Sequence, residues 1–446
     1  MHLTPSQQEA FDTLYSFASG ATKHGIATLS GYAGVGKTTV VIELIKRLCA
    51  GAPPRVLVTA PTHKALAVLA AKLGQTDSEL MTTQAALGLK LIEMDSGDQR
   101  LQKDSKPKIE QYELVVVDEA SMLHPDIFAT ILASRMRSRV LFVGDPAQLA
   151  PVGSDEPSLA FSDIVPLHVS LTEVVRQAKE HPAIRMSVTL REDVQEGRTP
   201  TLARLAGLMQ PGDERHMAIT CGGDTALQMH TIDALKRGFD TRILAFTNRA
   251  CLRHNDAIHN ALYPGVQGFA VGEQVIAQDG FTMRRNGFES AHVRTSQLLT
   301  VQSVTEAGHP DSPDVPAWLI RLEQENGTQG EAWVAQDRKM LETRINDLFA
   351  EWRRCKSAAD SEKNFSAREQ AKDDAKKASS EAWALRGRFA NIRHAYALTI
   401  HKAQGSTFET VLIDWSSLPA DGGADAARLA YVAITRPSRH AVIVTQ

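Results

Sequence analysis

Gly31, Gly34, Gly36, Lys37 and Thr38 stand in the order Gly-Tyr-Ala-Gly-Val-Gly-Lys-Thr, at the junction of an apolar run (26–29) and a helical run (39–48). A buried strand feeding a glycine-rich turn at a helix start is what phosphate binding requires, because backbone N–H groups freed of Cβ atoms can point at phosphate oxygens. Gly34, Val35, Gly36, Lys37, Thr38 and Thr39 therefore form a candidate cradle for a nucleoside triphosphate, with Lys37 as the cation for the β- and γ-phosphates and the Thr38 hydroxyl as a ligand for Mg²⁺. Downstream, the apolar run 114–117 ends in Asp118-Glu119. Two adjacent acids at the end of a buried strand are a poor structural choice unless something cationic is near. Asp118 suits Mg²⁺ and Glu119 suits polarising an attacking water as general base. Gln148 follows another apolar run (140–143), where it could touch the γ-phosphate or simply close a turn with Gly144 to Pro146. Arg436 lies in a polar loop after the apolar run 431–434, a place that suits a guanidinium inside a protein only if an anion faces it.

These residues need a scaffold that brings strand ends together. Length sets the scale: 446 residues allow about three domains. A chain that begins strand, phosphate loop, helix, strand implies a parallel sheet covered by helices on both faces, with the loops at the carboxyl ends of the strands lining the ligand crevice. Thr59, Thr62, His63 and Lys64 fall in such a loop, where each alone is equally consistent with turn chemistry. At the N-terminus Thr4 and Pro5 start a helix in which Gln7, by composition, reads as a solvated residue. Residues 242–248 read as a strand with a polar end, the mark of a second α/β unit. Residues 264–336 change to short alternating strands broken by Gly, Pro, Asn and Asp, which reads as a small β-barrel inserted into that unit. Residues 337–388 hold 23 Asp, Glu, Lys or Arg with one glycine and no proline. With Leu341, Ile345, Leu348, Phe349 and Trp352 on one face and a turn within 358–366, that stretch reads as a charged helical hairpin.

Taken in order, these motifs resemble those of the superfamily 1 helicases, and most closely the 5′→3′ branch, superfamily 1B, of Dda-type and RecD-type proteins. The resemblance runs from Gln7 to Arg436. It implies an α/β fold of two RecA-like motor domains, 1–167 and 168–263 plus 389–446, with an SH3-like barrel at 264–336 and a tower-like hairpin at 337–388. It also implies an enzyme that hydrolyses ATP with Mg²⁺, moves on single-stranded DNA and opens duplex junctions. In that frame Gln7 contacts adenine, and Gln148, Arg176 and Arg436 contact the γ-phosphate, both arginines being donated by the second motor domain. Pro61, Thr62, His63 and Lys64, with Thr82 and Thr83 and with Thr399, His401 and Lys402, grip the single strand. Gln84 and Thr407 stand where many relatives carry a histidine and an acid.

Residues 89–104, between Thr82-Thr83 and Asp118, read as a β-hairpin with its turn at 95–98. As a strand-separating pin it would press Met94 against the first base pair; the other reading is a solvated surface hairpin. Composition excludes little else. Net charge is −3, so no global basic field advertises nucleic acid, although a strand-tracking groove does not need one. Cys49, Cys221, Cys251 and Cys355 form no C-x-x-C pair and no H-E-x-x-H occurs, which points away from a disulfide framework or zinc site. Without a signal segment or an apolar run of membrane-spanning length, the expectation is a cytoplasmic, monomeric protein with replication or recombination proteins as further partners. Three alternatives share the motifs: an RNA-directed helicase of the same superfamily, a protein-displacing translocase, and a nucleotide-switched nucleic-acid-binding protein.

Overall fold

In a computed structural model, residues 3–50, 55–74, 76–93, 99–151, 157–173, 181–285 and 287–446 are described. The chain divides into two compact units, one of Met1–Lys90, Leu101–His254 and Ala397–Gln446, the other of Leu91–Arg100 and Asn255–Tyr396.

The first unit holds two parallel sheets. Strands β1 (Ile26–Gly31), β2 (Val56–Ala60) and β3 (Ser78–Thr82) precede a two-stranded sheet of β4 (Leu89–Glu93) and β5 (Gln99–Lys103), whose residues divide between the two units, then β6 (Leu114–Val117), β7 (Arg139–Gly144) and β8 (Leu167–Leu171). Six of them form one sheet in the order β3-β2-β6-β7-β1-β8, every pairing parallel. The sequence dictates this burial on both faces. In β6, Leu114 and Val116 enter one core with Leu29, Val41 and Leu141, while Val115 and Val117 enter the other with Phe128, Val140 and Phe142. A strand apolar at every position, rather than at alternate ones, is stable only with helices on both sides. The second sheet uses β9 (Met217–Cys221) and β10 (Thr241–Ala245), joined after the insertion by three C-terminal strands.

The second unit contains a seven-stranded antiparallel sheet of β11 (Gln274–Ala277), β12 (Phe281–Arg285), β13 (Phe288–Val293), β14 (Leu298–Glu306), β15 (Ala317–Gln324), β16 (Gln329–Ala335) and β17 (Ile392–His394). Its hydrogen-bonded order is β13-β12-β16-β15-β14-β11-β17. The sequence predicts a small β-barrel here; the pairing order has β13 and β17 at its two ends among the described residues. Strand β17 follows the helical hairpin yet pairs with β11, so the sheet takes residues from both ends of the insertion. The hairpin itself is two 24-residue helices, Arg338–Ser361 and Phe365–Arg388, each about 36 Å long. Asp337 caps the first helix through the Met340 N–H, and Asn364 caps the second. Leu341, Ile345 and Phe349 meet Ala382 and Leu385 between them, with Phe349 edge-on to Trp383 at 5.3 Å. Strands β18 (Ala397–Thr399), β19 (Phe408–Asp414) and β20 (Pro437–Thr445) then complete the second parallel sheet in the order β18-β10-β19-β20-β9.

The four cysteines are free. Two groups, His259/Glu273/His394 and Asp224/His254/Asp414, gather donor atoms within 4.8 Å of one another from separate elements, a proximity that no local spacing announced. No helix among the described residues is long and apolar enough to cross a membrane.

In the second unit, Glu273 is buried beneath two stacked imidazoles. Its Oε1 lies 3.1 Å from His259 Nδ1 and 2.6 Å from His394 Nδ1, and its Oε2 accepts from the Ala270 N–H at 2.9 Å. Burial works to raise its pKa, but the bonds from His394 and Ala270 and the His259 charge outweigh it and hold the carboxyl below its ordinary 4.5. A depressed folded pKa contributes stability that is fully present above 4.5 and is lost as pH falls through the lower folded value. Glu273→Gln is expected to cost about 1–3 kcal/mol in denaturant unfolding at pH 7, with the gap to the parent closing under strongly acid conditions.

Candidate nucleotide site

Strand β1 ends in the glycine loop, and the helix Lys37–Leu48 begins directly at its last glycine. Gly34 and Gly36 adopt φ of +82° and +88°, left-handed conformations that explain why glycine stands at both. A Cβ on Gly36 would also lie 2.4 Å from Gln7 Nε2. Lys37 Nζ donates to Gly31 O at 2.8 Å and Tyr32 O at 2.9 Å, so the ammonium folds back over the loop. Burial lowers its pKa, and the carboxylates of Asp145, Glu119 and Asp118 act against that shift.

Gln7 is not the solvated helix residue its composition suggests. It is buried, its Oε1 accepts from the Thr4 N–H at 3.0 Å, and its Nε2 donates to Val35 O at 2.9 Å. The Thr4 side chain in turn accepts from the Gln7 N–H, a reciprocal cap that fixes the amide against the loop. One hydrogen on Nε2 and one lone pair on Oε1 remain for a ligand edge.

Asp118 and Glu119 follow β6. Glu119 has φ +51°, ψ +40°, a strained conformation for a side chain of its kind. Burial first, and the Glu119 charge second, push the Asp118 carboxyl up to about 7. A buried acid pair that repels its own ionisation fits a divalent cation: the donors are hard oxygens, and an added positive charge would relieve both causes of the shift.

The second sheet faces this loop with its last helix, Gly423–Ile434, and the arginine after it. The Tyr431 hydroxyl donates to Asp145 Oδ2 and accepts from the Ala33 N–H at 3.1 Å. Arg428 Nη1 donates to Pro146 O at 2.7 Å and Gln148 O at 3.1 Å, and Gln404 Nε2 donates to Gln148 Oε1 at 3.1 Å. Arg191 pairs with Asp145 and lies over the Tyr32 ring at 4.2 Å. Arg436 is buried and donates to Val432 O, Ser406 O and Thr435 Oγ1 at 3.0, 3.2 and 2.8 Å. Burial lowers its pKa, opposed by the charge of Glu119. Its three acceptors are neutral, which leaves the guanidinium short of negative charge.

Gln148, Arg436, Asp118, Glu119 and Lys37 are thus brought to one cleft. Sequence reasoning missed Asp145, Arg191, Arg428 and Tyr431. The available signal was the i, i+3 spacing of Arg428 and Tyr431, two polar groups on a helix that beyond Asp425 in its first turn is small and apolar.

The expected strand-gripping residues share one local device. Thr62 follows β2, Thr82 and Thr399 are the last residues of β3 and β18, and each caps the next helix by accepting from the N–H of Ala65, Ala85 and Lys402 respectively. Thr83 departs from its expectation: it is buried and its hydroxyl donates to Thr59 Oγ1 at 3.4 Å, bracing the strand ends from inside. Pro61 precedes the first of these caps, and His401 and Lys402 lie on the helix Ile400–Ala403. His63 and Lys64 open the helix His63–Leu73. Arg176 and Met94 lie outside the described residues.

A phosphate loop at one parallel sheet, faced within the same compact unit by a buried arginine from a second, defines a two-lobed P-loop motor. The AAA domain family matches residues 2–210, and the UvrD-like helicase C-terminal domain family matches residues 394–444. The ATP-dependent DNA helicase dda of Enterobacteria phage T4 is 24% identical over 97% of this chain and 97% of its own length. RecBCD enzyme subunit RecD of Mycobacterium tuberculosis is 31% identical over 46% of this chain and 37% of its own, and the ATP-dependent RecD2 DNA helicase of Deinococcus radiodurans 30% identical over 47% and 28%. A Pif1 helicase structure, from work on forked duplex DNA and two coordinating Pif1 helicases, shares the fold with a TM-score of 0.50 at 19% identity, covering 99% of this chain and 92% of that one. Together these matches fit a superfamily 1B helicase.

The raised Asp118 pKa carries a stability consequence. A carboxyl whose folded value is about 7 against an ordinary 3.8 binds its proton more tightly when folded, so its penalty grows as pH rises from 3.8 to 7 and is complete above that. Asp118→Asn is therefore expected to melt higher than the parent at pH 8 without nucleotide or divalent cation, and the advantage to vanish near pH 4.

Proposed function

We propose that this protein is an ATP-driven 5′→3′ DNA helicase that moves on single-stranded DNA and opens duplex junctions. The observation that carries the reading is the cleft itself, where Lys37, Asp118 and Glu119 of one sheet meet Arg436 of the other. Its relatives Dda and RecD2 are by name ATP-dependent DNA helicases, and Dda matches this chain along nearly its whole length. Gly34, Val35, Gly36, Lys37, Thr38 and Thr39 cradle the triphosphate, and the remaining hydrogen-bond capacity of Gln7 reads adenine. Thr38 and Asp118 would hold Mg²⁺, which supplies charge neutralisation at the phosphates. Glu119 takes the proton of the attacking water; Gln148 and Arg436, with Arg176 as the second arginine, hold the γ-phosphate and its departing charge. Closing around ATP satisfies the guanidinium, and release of phosphate removes that gain, so the lobes open and close once per turnover.

Pro61, Thr62, His63, Lys64, Thr82, Thr399, His401 and Lys402 hold the strand in alternation, and residues 89–104, with Met94 at the tip, form the pin. The same reading assigns 1–167 and 168–263 plus 389–446 to the two motors, 264–336 to an SH3-like barrel and 337–388 to a tower. It also makes the protein a cytoplasmic monomer that works beside replication or recombination proteins.

Unwinding of partial duplexes tests the proposal. The parent is expected to open a 5′-tailed duplex and leave its 3′-tailed counterpart closed, while Lys37→Ala keeps its fold and loses DNA-stimulated ATP hydrolysis. Preference for the 3′ tail overturns the polarity, and normal turnover by folded Lys37→Ala overturns the motor. Arg436→Ala is expected to lower turnover by about 10³–10⁵-fold. Because that side chain also bonds within its own lobe, melting is expected to drop as well, with a loss of about 1–3 kcal/mol in unfolding free energy.

A further inference from the structure

We propose that the Tyr431 hydroxyl is a positioning group of the motor, which ties the phosphate loop to the helix that leads into Arg436. This rests on the ATP-hydrolysing reading of the cleft. Tyr431 is fully buried, and its one oxygen has two partners in the other lobe: it accepts from the Ala33 N–H of the loop at 3.1 Å and donates to Asp145 Oδ2 after β7. Asp145 is itself fully buried, and its Oδ1 accepts from Arg191 and from the Ala147 N–H at 3.0 Å. Both carboxylate oxygens are thus engaged, and Oδ2 relies on the tyrosine.

Burial and the Asp145 charge push the phenol well above its ordinary pKa, so it keeps its proton and stays a donor. From the ring to the arginine is a short rigid path. Arg436 Nε donates to the carbonyl of Val432, the next residue after Tyr431, at 3.0 Å, and the Thr435 N–H bonds the Tyr431 carbonyl at 3.2 Å. A shift of Tyr431 relative to Ala33 is therefore a shift of the guanidinium relative to the loop. The Ala33 amide lies in the phosphate loop, next to the Gly34–Thr39 cradle, so loop conformation and arginine position are read by one hydroxyl. Phenylalanine fills the same space and makes neither bond.

Tyr431→Phe tests this. Three quantities are measured on parent and variant: thermal midpoint, kcat and KM for ATP with a saturating oligothymidylate, and amide exchange of the loop peptide without nucleotide. A positioning role predicts a kcat lower by at least about tenfold with KM within about threefold, and loop exchange at Ala33 faster by about tenfold or more. Unchanged exchange at Ala33 overturns the proposal, as does a lower midpoint with kcat and KM at parental values, which marks a bond that only stabilises. Glu119→Gln serves as reference, because it is expected to slow turnover by about 10²–10⁴-fold while keeping the loop's own bonds. If the parent itself fails to hydrolyse ATP, the motor reading falls, and the exchange comparison still decides whether the hydroxyl holds the loop.

Discussion

Charge held away from water around the phosphate loop is the constraint on which the rest depends. Lys37, Arg191 and Arg436 converge with Asp118, Glu119 and Asp145, and burial displaces Lys37, Asp118 and Arg436 from their ordinary pKa values in the direction of neutrality. Asp145 is compensated locally by Arg191 and Tyr431, whereas Arg436 rests on neutral oxygens and Asp118 on a neighbour of its own sign. Isolated buried charge is expensive, and these groups are arranged so that an anion with a divalent cation would settle all of them together. The cleft is therefore least comfortable when empty, which is the property a cyclic motor needs.

Parallel sheets make that arrangement affordable to the fold. Every strand of the six- and five-stranded sheets runs the same way as its neighbours, so the chemistry-bearing turns after β1, β6 and β7 emerge at one edge. The strained Glu119 and the left-handed Gly34 and Gly36 sit at those turns, anchored by strands buried on both faces. Rigid strands hold the strain, and the turns present it.

The second unit follows different rules. Its sheet is antiparallel, closed to water on one side by Val275, Leu299, Val301, Ile320 and Leu322, and its polar centre is a neutralised carboxylate rather than an exposed one. The helical hairpin buries a narrow stripe and leaves most of its charged side chains in solvent, which suits an arm more than a core.

Local chemistry made much of this legible from the sequence. The glycine loop, the acid pair after an all-apolar strand, the helical hairpin and the capping threonines depend on residues a few positions apart, so spacing and composition carry them. The buried state of Gln7, the inward turn of Thr83, the pairing of β17 with β11, and the bonds of Tyr431 to Ala33 and Asp145 depend on partners brought together only by folding. Tyr431 and Ala33 are 398 residues apart, and Tyr431 and Asp145 are 286 apart. A tyrosine in an apolar helix and an aspartate in a turn look ordinary by type. Tertiary structure alone decided that they hydrogen-bond across the cleft, because a bond between lobes leaves no periodicity in either segment.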